Sequence, residues 1–187
     1  TLTFIMIEIK NIFKSFGKSE VLNDISAKFE RGKTNLIIGQ SGSGKTVLLK
    51  CLLGLYSIDQ GELIYDSIYS SKMNDEEKVN IKKDMGMVFQ GSALFDSLTV
   101  LENVRFPLDM LTKYSEKKKN EIALKFIDRV NLNDAINKLP SEISGGMQKR
   151  VGIARAIVLN PKYLFCDEPN SGPVSYTHLT LPTNRCV

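Results

Sequence analysis

One glycine-rich stretch constrains the fold of this chain more than any other feature. It consists of Gly39, Gln40, Ser41, Gly42, Ser43, Gly44, Lys45 and Thr46. A glycine, four variable positions and Gly-Lys-Thr are typical of a phosphate-binding loop between a strand and a helix. The flanks fit, because the apolar run 36–38 precedes the loop and Val47 begins an amphipathic stretch. The context predicts nucleotide binding, and an ordinary glycine-rich turn is the alternative.

The residue types in this loop suit an anion. Backbone N–H groups and a helix N-terminus converge on phosphate oxygens in such loops. Gly42 and Gly44 allow the required backbone dihedral angles and keep side chains out of the way. Lys45 is expected to reach the β- and γ-phosphates, and the Thr46 hydroxyl is expected to bind Mg²⁺.

The composition argues against several other classes of protein. The 187 residues carry a net charge of +4 and are 42% hydrophobic, as expected for one globular domain with room for an inserted subdomain. So small a charge excess does not favour nucleic acid as a partner. No apolar run has transmembrane length, and the first residues lack a signal-peptide pattern. The widely spaced Cys51, Cys166 and Cys186 fit a reducing compartment and no zinc site.

Alternating apolar residues predict two N-terminal strands, 7–12 and 21–29. The chain begins with Thr1, and Met6 is expected to be the initiator because the alternation starts directly after it. Phe16 lies between the two strands. It either covers the edge of the core or stacks on an adenine ring, and the residues by themselves favour the first role.

The middle of the chain predicts a buried strand followed by helices. Gln90 ends the apolar run 85–89, so it is a candidate to contact Mg²⁺ or an attacking water, with strand capping as the alternative. An apolar stripe begins at Val100 and is expected to be interrupted by Pro107. Ser115 is expected to cap a helix whose lysines 117–119 form a solvated face rather than a nucleic-acid patch.

Two further segments predict phosphoryl chemistry. Ser144, Gly145 and Gly146 begin a helix, and two glycines there lower helix propensity by roughly 1 kcal/mol each relative to alanine. This cost favours a second anion site. Asp167 and Glu168 follow the apolar strand 163–166, where Asp167 is expected to hold Mg²⁺ and Glu168 to polarise the attacking water.

The combination of these motifs resembles the ATP-binding subunits of ABC transporters. The phosphate loop, Gln90, the signature 143–147 and the segment 167–169 occur in the order of that family. The resemblance implies that Phe16 stacks on adenine and that Gln90 senses nucleotide beside the groove for a permease's coupling helix. It also implies a head-to-tail homodimer, in which Ser144–Gly146 of one copy bind the γ-phosphate of ATP held by Lys45 of the other.

The resemblance implies an α/β fold of the P-loop NTPase type, specifically an ABC ATPase. Its core would have a mainly parallel sheet, an N-terminal antiparallel β subdomain and an inserted helical subdomain. We expect residues 6–90 and 157–172 to form the nucleotide-binding core, and 91–156 to form the helical signature subdomain. The family continues after Gly172 with Leu-Asp-Pro, whereas Pro173 stands here.

Residues 173–187 are expected to be a non-native tail on a C-terminally truncated chain. The segment 174–183 matches the in-frame translation of a transposase-type sequencing adapter, with Pro173 as the junction. His178, the single histidine, lies too close to Glu168 to be the family's phosphate-contacting histidine.

The sequence around Gln90 indicates the subfamily. Residues 87–95 and 144–156 resemble the ATPases of Mla/Mce-type phospholipid transporters, including Met147 where most ABC proteins carry Gln. This implies an integral membrane permease, a periplasmic lipid-binding protein and a place on the cytoplasmic face of a bacterial inner membrane. The alternatives are an amino-acid or lipoprotein transporter, a non-transport ATPase on ribosomes or DNA, and a nucleotide-binding fragment without catalysis.

Overall fold

The computed structural model describes residues 5–167. The expected tail at 173–187, His178 and Glu168 lie outside the described residues. The chain divides into two compact units between Lys82 and Lys83. The expected subdomain bounds 91–156 stay a prediction.

The first unit contains an antiparallel sheet of four strands in the order β2-β1-β3-β4, with helix α1 between β2 and β3 in sequence. Both predicted N-terminal strands are present and longer than expected. The bounds are β1 Ile5–Phe16, β2 Ser19–Glu30, α1 Lys45–Leu52, β3 Gln60–Tyr65 and β4 Ile68–Tyr69.

A bulge in β1 corrects the simple alternation expected for this strand. Ile9 and Ile12 are both buried although they are three residues apart. The register against β2 shifts between them, and Asn11 has a φ of 45°. The backbone of Gly61 crosses close to this point, where an added Cβ would lie 2.2 Å from the Asn11 carbonyl oxygen. The extra residue returns Ile12 to the core side.

The apolar run before the phosphate loop differs from the expectation. Residues 34–40 form no strand, and Leu36 and Ile38 are 78% and 84% exposed. A strand exists through its hydrogen-bonded ladder, and within residues 5–167 no ladder includes this run. Hydrophobicity marks a segment suited to a buried strand but does not supply the neighbouring strand.

The second unit is mainly helical. It has three long helices packed on one another and a pair of parallel strands, β5 and β6. Helix α2 ends the first unit, to which all of its residues except Lys83 belong; its first turn is acidic and it has no buried residue. The bounds are α2 Asp75–Lys83, β5 Met85–Val88, α3 Val100–Leu111, α4 Glu116–Arg129, α5 Gly145–Ile157 and β6 Tyr163–Cys166.

Pro107 does not interrupt α3, contrary to the expectation. The helix continues to Leu111, with Pro107 half-buried inside it. Proline removes one backbone bond and crowds the preceding turn, but Val100, Val104 and Leu108 bury one face on both sides of it. The free energy gained by burying this face exceeds the cost of the lost hydrogen bond and of the crowding at the proline.

Ser115 caps α4 as expected, since its hydroxyl accepts a hydrogen bond from the Lys118 amide. The lysine run makes ion pairs at the surface, including Lys118 with Glu121 and Lys119 with Asp109. Lys117 and Lys118 are exposed, as expected for a solvated face, whereas the side chain of Lys119 is only 12% exposed and packs between its acidic partners.

Candidate functional site

The phosphate loop has the backbone that the glycines were expected to provide. Gly42 and Gly44 have φ angles of 80° and 87°, in the left-handed region. Gly44 is the N-cap of α1, and its carbonyl accepts from the Leu48 amide at 2.8 Å. An added Cβ on Gly39 would lie 2.6 Å from Ser43 Oγ, so a side chain there would require the Ser43 hydroxyl to rotate away.

Lys45 lies back over this loop. Its Nζ donates to the carbonyl oxygens of Gly39 at 2.8 Å and Gln40 at 2.7 Å. An ammonium group has three N–H donors, so this arrangement holds the charge at the loop while another donor can meet an anion. Thr46 follows in the first turn of α1, where N–H groups point out of the helix end.

The turn between β1 and β2 lies on the same unit as this loop. Val21 of β2 touches the loop, because an added Cβ on Gly44 would lie 3.0 Å from the Val21 carbonyl oxygen. Phe16 pairs with Ser19 at the end of this hairpin and is 44% exposed. Its ring meets Tyr56 edge-on at 5.3 Å between centroids. Phe16 thus presents part of its ring to solvent while it packs against Tyr56.

In the second unit the ends of β5 and β6 bring two predicted site residues to one edge. The strands are parallel, with Val88 opposite Cys166. The Asp167 amide donates to the Val88 carbonyl at 3.0 Å, which continues the pairing by one residue. Gln90 follows Val88 by two residues, so both polar side chains come from the carboxyl edge of this pair.

The start of α5 is a capped helix end with an exposed glycine. Ser144 caps the helix, and its hydroxyl accepts from the Met147 amide at 3.3 Å. Gly145 is exposed, and an added Cβ there would meet no atom within 4 Å. Neither packing nor a positive φ requires glycine at this position.

Sequence reasoning missed a group of residues that surrounds the loop after Gln90. Ser92 is 5% exposed, and its carbonyl accepts from Arg155 Nη2 of α5 at 2.8 Å. Asn103 of α3 is fully buried and bonds both the amide and the carbonyl of Phe95. A polar residue in a helical stripe gives no sequence signal of such a role.

The predicted site residues divide between the two units. The phosphate loop, Val47 and Phe16 belong to the first, and Gln90, Ser144–Gly146 and Asp167 belong to the second. Within residues 5–167, no three His, Cys, Asp or Glu side chains cluster as a metal site. The described helices include none that is long and apolar enough to span a membrane.

Comparison with known proteins identifies the family. The family model described as ABC transporter matches residues 22–171, which is most of the chain. The chain belongs to the family of ABC transporter ATP-binding domains, and its fold is that of an ABC ATPase cassette.

Two curated relatives illustrate the range of the family. The probable ribonucleotide transport ATP-binding protein mkl of Mycobacterium leprae (strain TN) is 38% identical over 178 residues, which is 94% of this chain and 51% of that protein. The L-cystine import ATP-binding protein TcyC of Bacillus subtilis (strain 168) is 40% identical over 169 residues, 89% of this chain and 68% of that protein. The chain thus spans about half the length of the mycobacterial relative.

A solved structure shares the fold. The dimeric post-hydrolysis state of the ATP-binding cassette MJ0796, bound to ADP and Pi, aligns with a TM-score of 0.78 and 33% identity. The alignment covers 89% of this chain and 75% of that one.

Proposed function

We propose that this chain is the ATP-binding and ATP-hydrolysing subunit of a bacterial ABC transporter. The observation that carries the proposal is the phosphate loop, with left-handed Gly42 and Gly44 directly before α1 and Lys45 held over the loop. In phosphate-binding loops of this kind, backbone N–H donors and the lysine charge converge on one place, as a triphosphate requires.

The loop's own residues would bind and orient ATP. Backbone N–H groups of the loop, Gly39 to Thr46, and of Val47 in the first turn of α1 would donate to phosphate oxygens. Lys45 Nζ would give up a carbonyl contact for the more strongly attracting β- and γ-phosphates. The partly exposed ring of Phe16, at a hairpin that touches this loop through Val21, would stack on the adenine.

We assign Mg²⁺ to three residues whose oxygen groups are each of the kind that this ion prefers. Thr46 offers a hydroxyl, Gln90 an amide oxygen and Asp167 a carboxylate, and Mg²⁺ prefers oxygen ligands together with substrate phosphates. Asp167 is half-buried and held by its backbone bond to Val88. When bound, Mg²⁺ would neutralise charge that develops on the β- and γ-phosphates.

Two groups would act on the attacking water. Glu168, directly after Asp167, would accept its proton as a general base. Gln90 would orient the same water from the neighbouring strand end.

The site would be shared by two copies of the chain. Gly145 has open space where a side chain would stand and no packing reason to be glycine. A phosphate that approaches the backbone of Ser144–Gly146 would provide that reason. The γ-phosphate held by Lys45 of a second copy is the proposed anion, so ATP would link the two copies. The dimeric state of the related cassette supports this arrangement.

The transported substrate is proposed to be phospholipid. The support is the similarity of residues 87–95 and 144–156 to lipid-transport ATPases, with Met147 in the signature. The subunit would then bind a permease at the cytoplasmic face of the inner membrane, and the complex would include a periplasmic lipid-binding protein.

An amino-acid importer is the second candidate, favoured by the 40% identity to the cystine import protein. A neighbouring gene for a lipid-binding protein supports the first, and one for an amino-acid-binding protein overturns it.

Replacing Glu168 tests the proposed chemistry. In the full-length protein, Glu168→Gln should lower the ATP turnover rate by about 10²- to 10⁴-fold, because a general base is lost. ATP affinity should stay within a few-fold, and an ATP-bound dimer should accumulate. Phosphate release, binding of a fluorescent ATP analogue and light scattering after size exclusion measure the three quantities.

The exposed Glu76 of α2 provides the matched control. Glu76→Gln removes the same charge and should leave turnover unchanged. Turnover by Glu168→Gln near the unsubstituted rate would show that Glu168 is not the base. A chain that binds ATP but never hydrolyses it would support the fragment alternative.

A further inference from the structure

The loop after Gln90 contains an unusual run of backbone conformations. Gly91, Ser92 and Ala93 have φ angles of 77°, 68° and 43°. Residues other than glycine seldom adopt this region, and they persist there only where the surroundings enforce it. The structure therefore holds this loop in one disfavoured conformation.

Helix α5 provides one side of the restraint. Arg155 Nη2 donates to the Ser92 carbonyl at 2.8 Å, and the guanidinium lies 5.8 Å from the centroid of the Phe95 ring. One turn earlier, an added Cβ on Gly152 would lie 3.4 Å from the Ser92 carbonyl oxygen and 3.5 Å from its Cα. The loop thus packs directly against the backbone of α5.

The positive charge of Arg155 strengthens its contacts with the Ser92 carbonyl and the Phe95 ring. Burial lowers the pKa of the guanidinium, although arginine stays protonated at physiological pH. The contacts of Arg155 in the described part of the chain are the Ser92 carbonyl and the Phe95 ring. Its desolvated charge is compensated by a loop carbonyl and an aromatic face.

Helix α3 restrains the same loop from another direction. Asn103 Oδ1 accepts from the Phe95 amide at 2.9 Å, and Nδ2 donates to the Phe95 carbonyl at 3.1 Å. The segment between Gln90 and Phe95 is therefore fixed at Ser92 by α5 and at Phe95 by α3 and α5. It has few independent ways to move.

We propose that Arg155 is a positioning residue that ties the loop after Gln90 to helix α5, so that a displacement of Gln90 by nucleotide is transmitted to the helix start at Ser144. The inference rests on the proposed function, since it concerns how the two nucleotide-contacting parts of this unit move together. α5 is a continuous helix from Gly145 to Ile157, so a shift at Arg155 displaces its first turn as well.

Arg150 offers a matched control on the same helix. It is also a half-buried arginine that donates to backbone carbonyls, those of Val130 at 2.9 Å and Asn131 at 3.2 Å. Its acceptors lie at the end of α4, away from the loop 91–95. A general loss of stability from removing a buried arginine affects both variants, whereas loss of the linkage affects only Arg155.

The test compares Arg155→Met, Arg155→Lys and Arg150→Met in the full-length protein. Arg155→Met should lower kcat for ATP about tenfold with KM and ATP affinity within twofold of the unsubstituted protein, because coupling and not binding is lost. Arg155→Lys should recover most of kcat, since lysine keeps a donor and a cation near Phe95. Arg150→Met should retain kcat.

Amide hydrogen exchange gives a second readout that does not require turnover. Mg-ATP should alter exchange at both 91–95 and 145–148 in the unsubstituted protein and in Arg150→Met. In Arg155→Met the change at 145–148 should be lost while ATP still binds.

The outcomes separate the proposed ATP hydrolysis from the proposed linkage through Arg155. If ATP binds but is not hydrolysed, the proposed hydrolysis fails, and the exchange measurement still decides the linkage. If hydrolysis occurs and Arg155→Met behaves like the unsubstituted protein or like Arg150→Met, the linkage alone is wrong. If the unsubstituted protein shows no ATP-dependent change at 145–148, the linkage is also wrong. Absence of ATP binding overturns both.

Discussion

Asn103 illustrates how one residue can determine the shape of a loop. Its amide group accepts from the Phe95 amide and donates to the carbonyls of Phe95, Leu98 and Thr99, at 2.9 to 3.1 Å. The side chain is fully buried, so these groups have no access to water as a substitute. The side chain thus takes the place of backbone pairing for residues 95–99.

We predict that Asn103→Ala lowers the free energy of unfolding by about 2–4 kcal/mol, because buried backbone groups lose their partners. Urea unfolding followed by circular dichroism measures the change. The exposed Asn133 donates to Asp128 at 2.7 Å, and Asn133→Ala should change stability by less than about 0.5 kcal/mol. Equal effects of the two substitutions would contradict the role given to Asn103.

Residue roles were predictable where a motif prescribes the backbone. The left-handed Gly42 and Gly44 and the cap at Ser144 follow from local pattern, and the structure confirms them. Arg155 and Asn103 were not found, because their contacts with Ser92 and Phe95 depend on how helices pack. A sequence pattern does not specify which polar side chain will be buried.

At the scale of elements, α3 shows packing that outweighs local propensity. Pro107 has no N–H for the carbonyl four residues earlier, and it still lies within the helix. The buried face of Val100, Val104 and Leu108 compensates for the missing bond. The apolar stripe, which continues past the proline, was the better predictor of the helix end.

We predict that Pro107→Ala raises the free energy of unfolding by roughly 1–2 kcal/mol, because alanine restores a helical N–H and has higher helix propensity. Thermal and urea unfolding measure it. Leu108→Ala, one residue on and 1% exposed, should instead lower stability by about 2–5 kcal/mol. A destabilised Pro107→Ala protein would show that the proline is required for the shape of α3.

Helices and strands with a clear apolar periodicity were predicted well. The pairing between strands was not. The two N-terminal strands, α4, α5 and β6 follow from apolar spacing and capping residues. The run 36–38 was expected to be a strand and has no ladder in the described part of the chain. The bulge at Asn11 was also missed, since it arises where the Gly61 backbone crosses β1.

At the scale of the whole molecule, the chain is one ABC ATPase domain whose nucleotide-contacting residues are proposed to complete a site only in pairs of copies. The family follows from motif order and is confirmed by the match over residues 22–171. The transported substrate does not follow in the same way, because the motifs bind ATP and carry no contact to cargo. The relatives differ in their named substrates accordingly.

Complementation between two inactive variants tests the shared site most directly. Lys45→Ala removes the phosphate-binding lysine, and Ser144→Arg blocks the start of α5. In a head-to-tail dimer of one variant with the other, one site contains both substitutions and the second site contains neither. Each full-length variant alone should therefore be inactive, and the mixture should regain ATP hydrolysis through the intact site. A mixture that stays inactive, although the two variants are shown to associate, would contradict a site built from two copies.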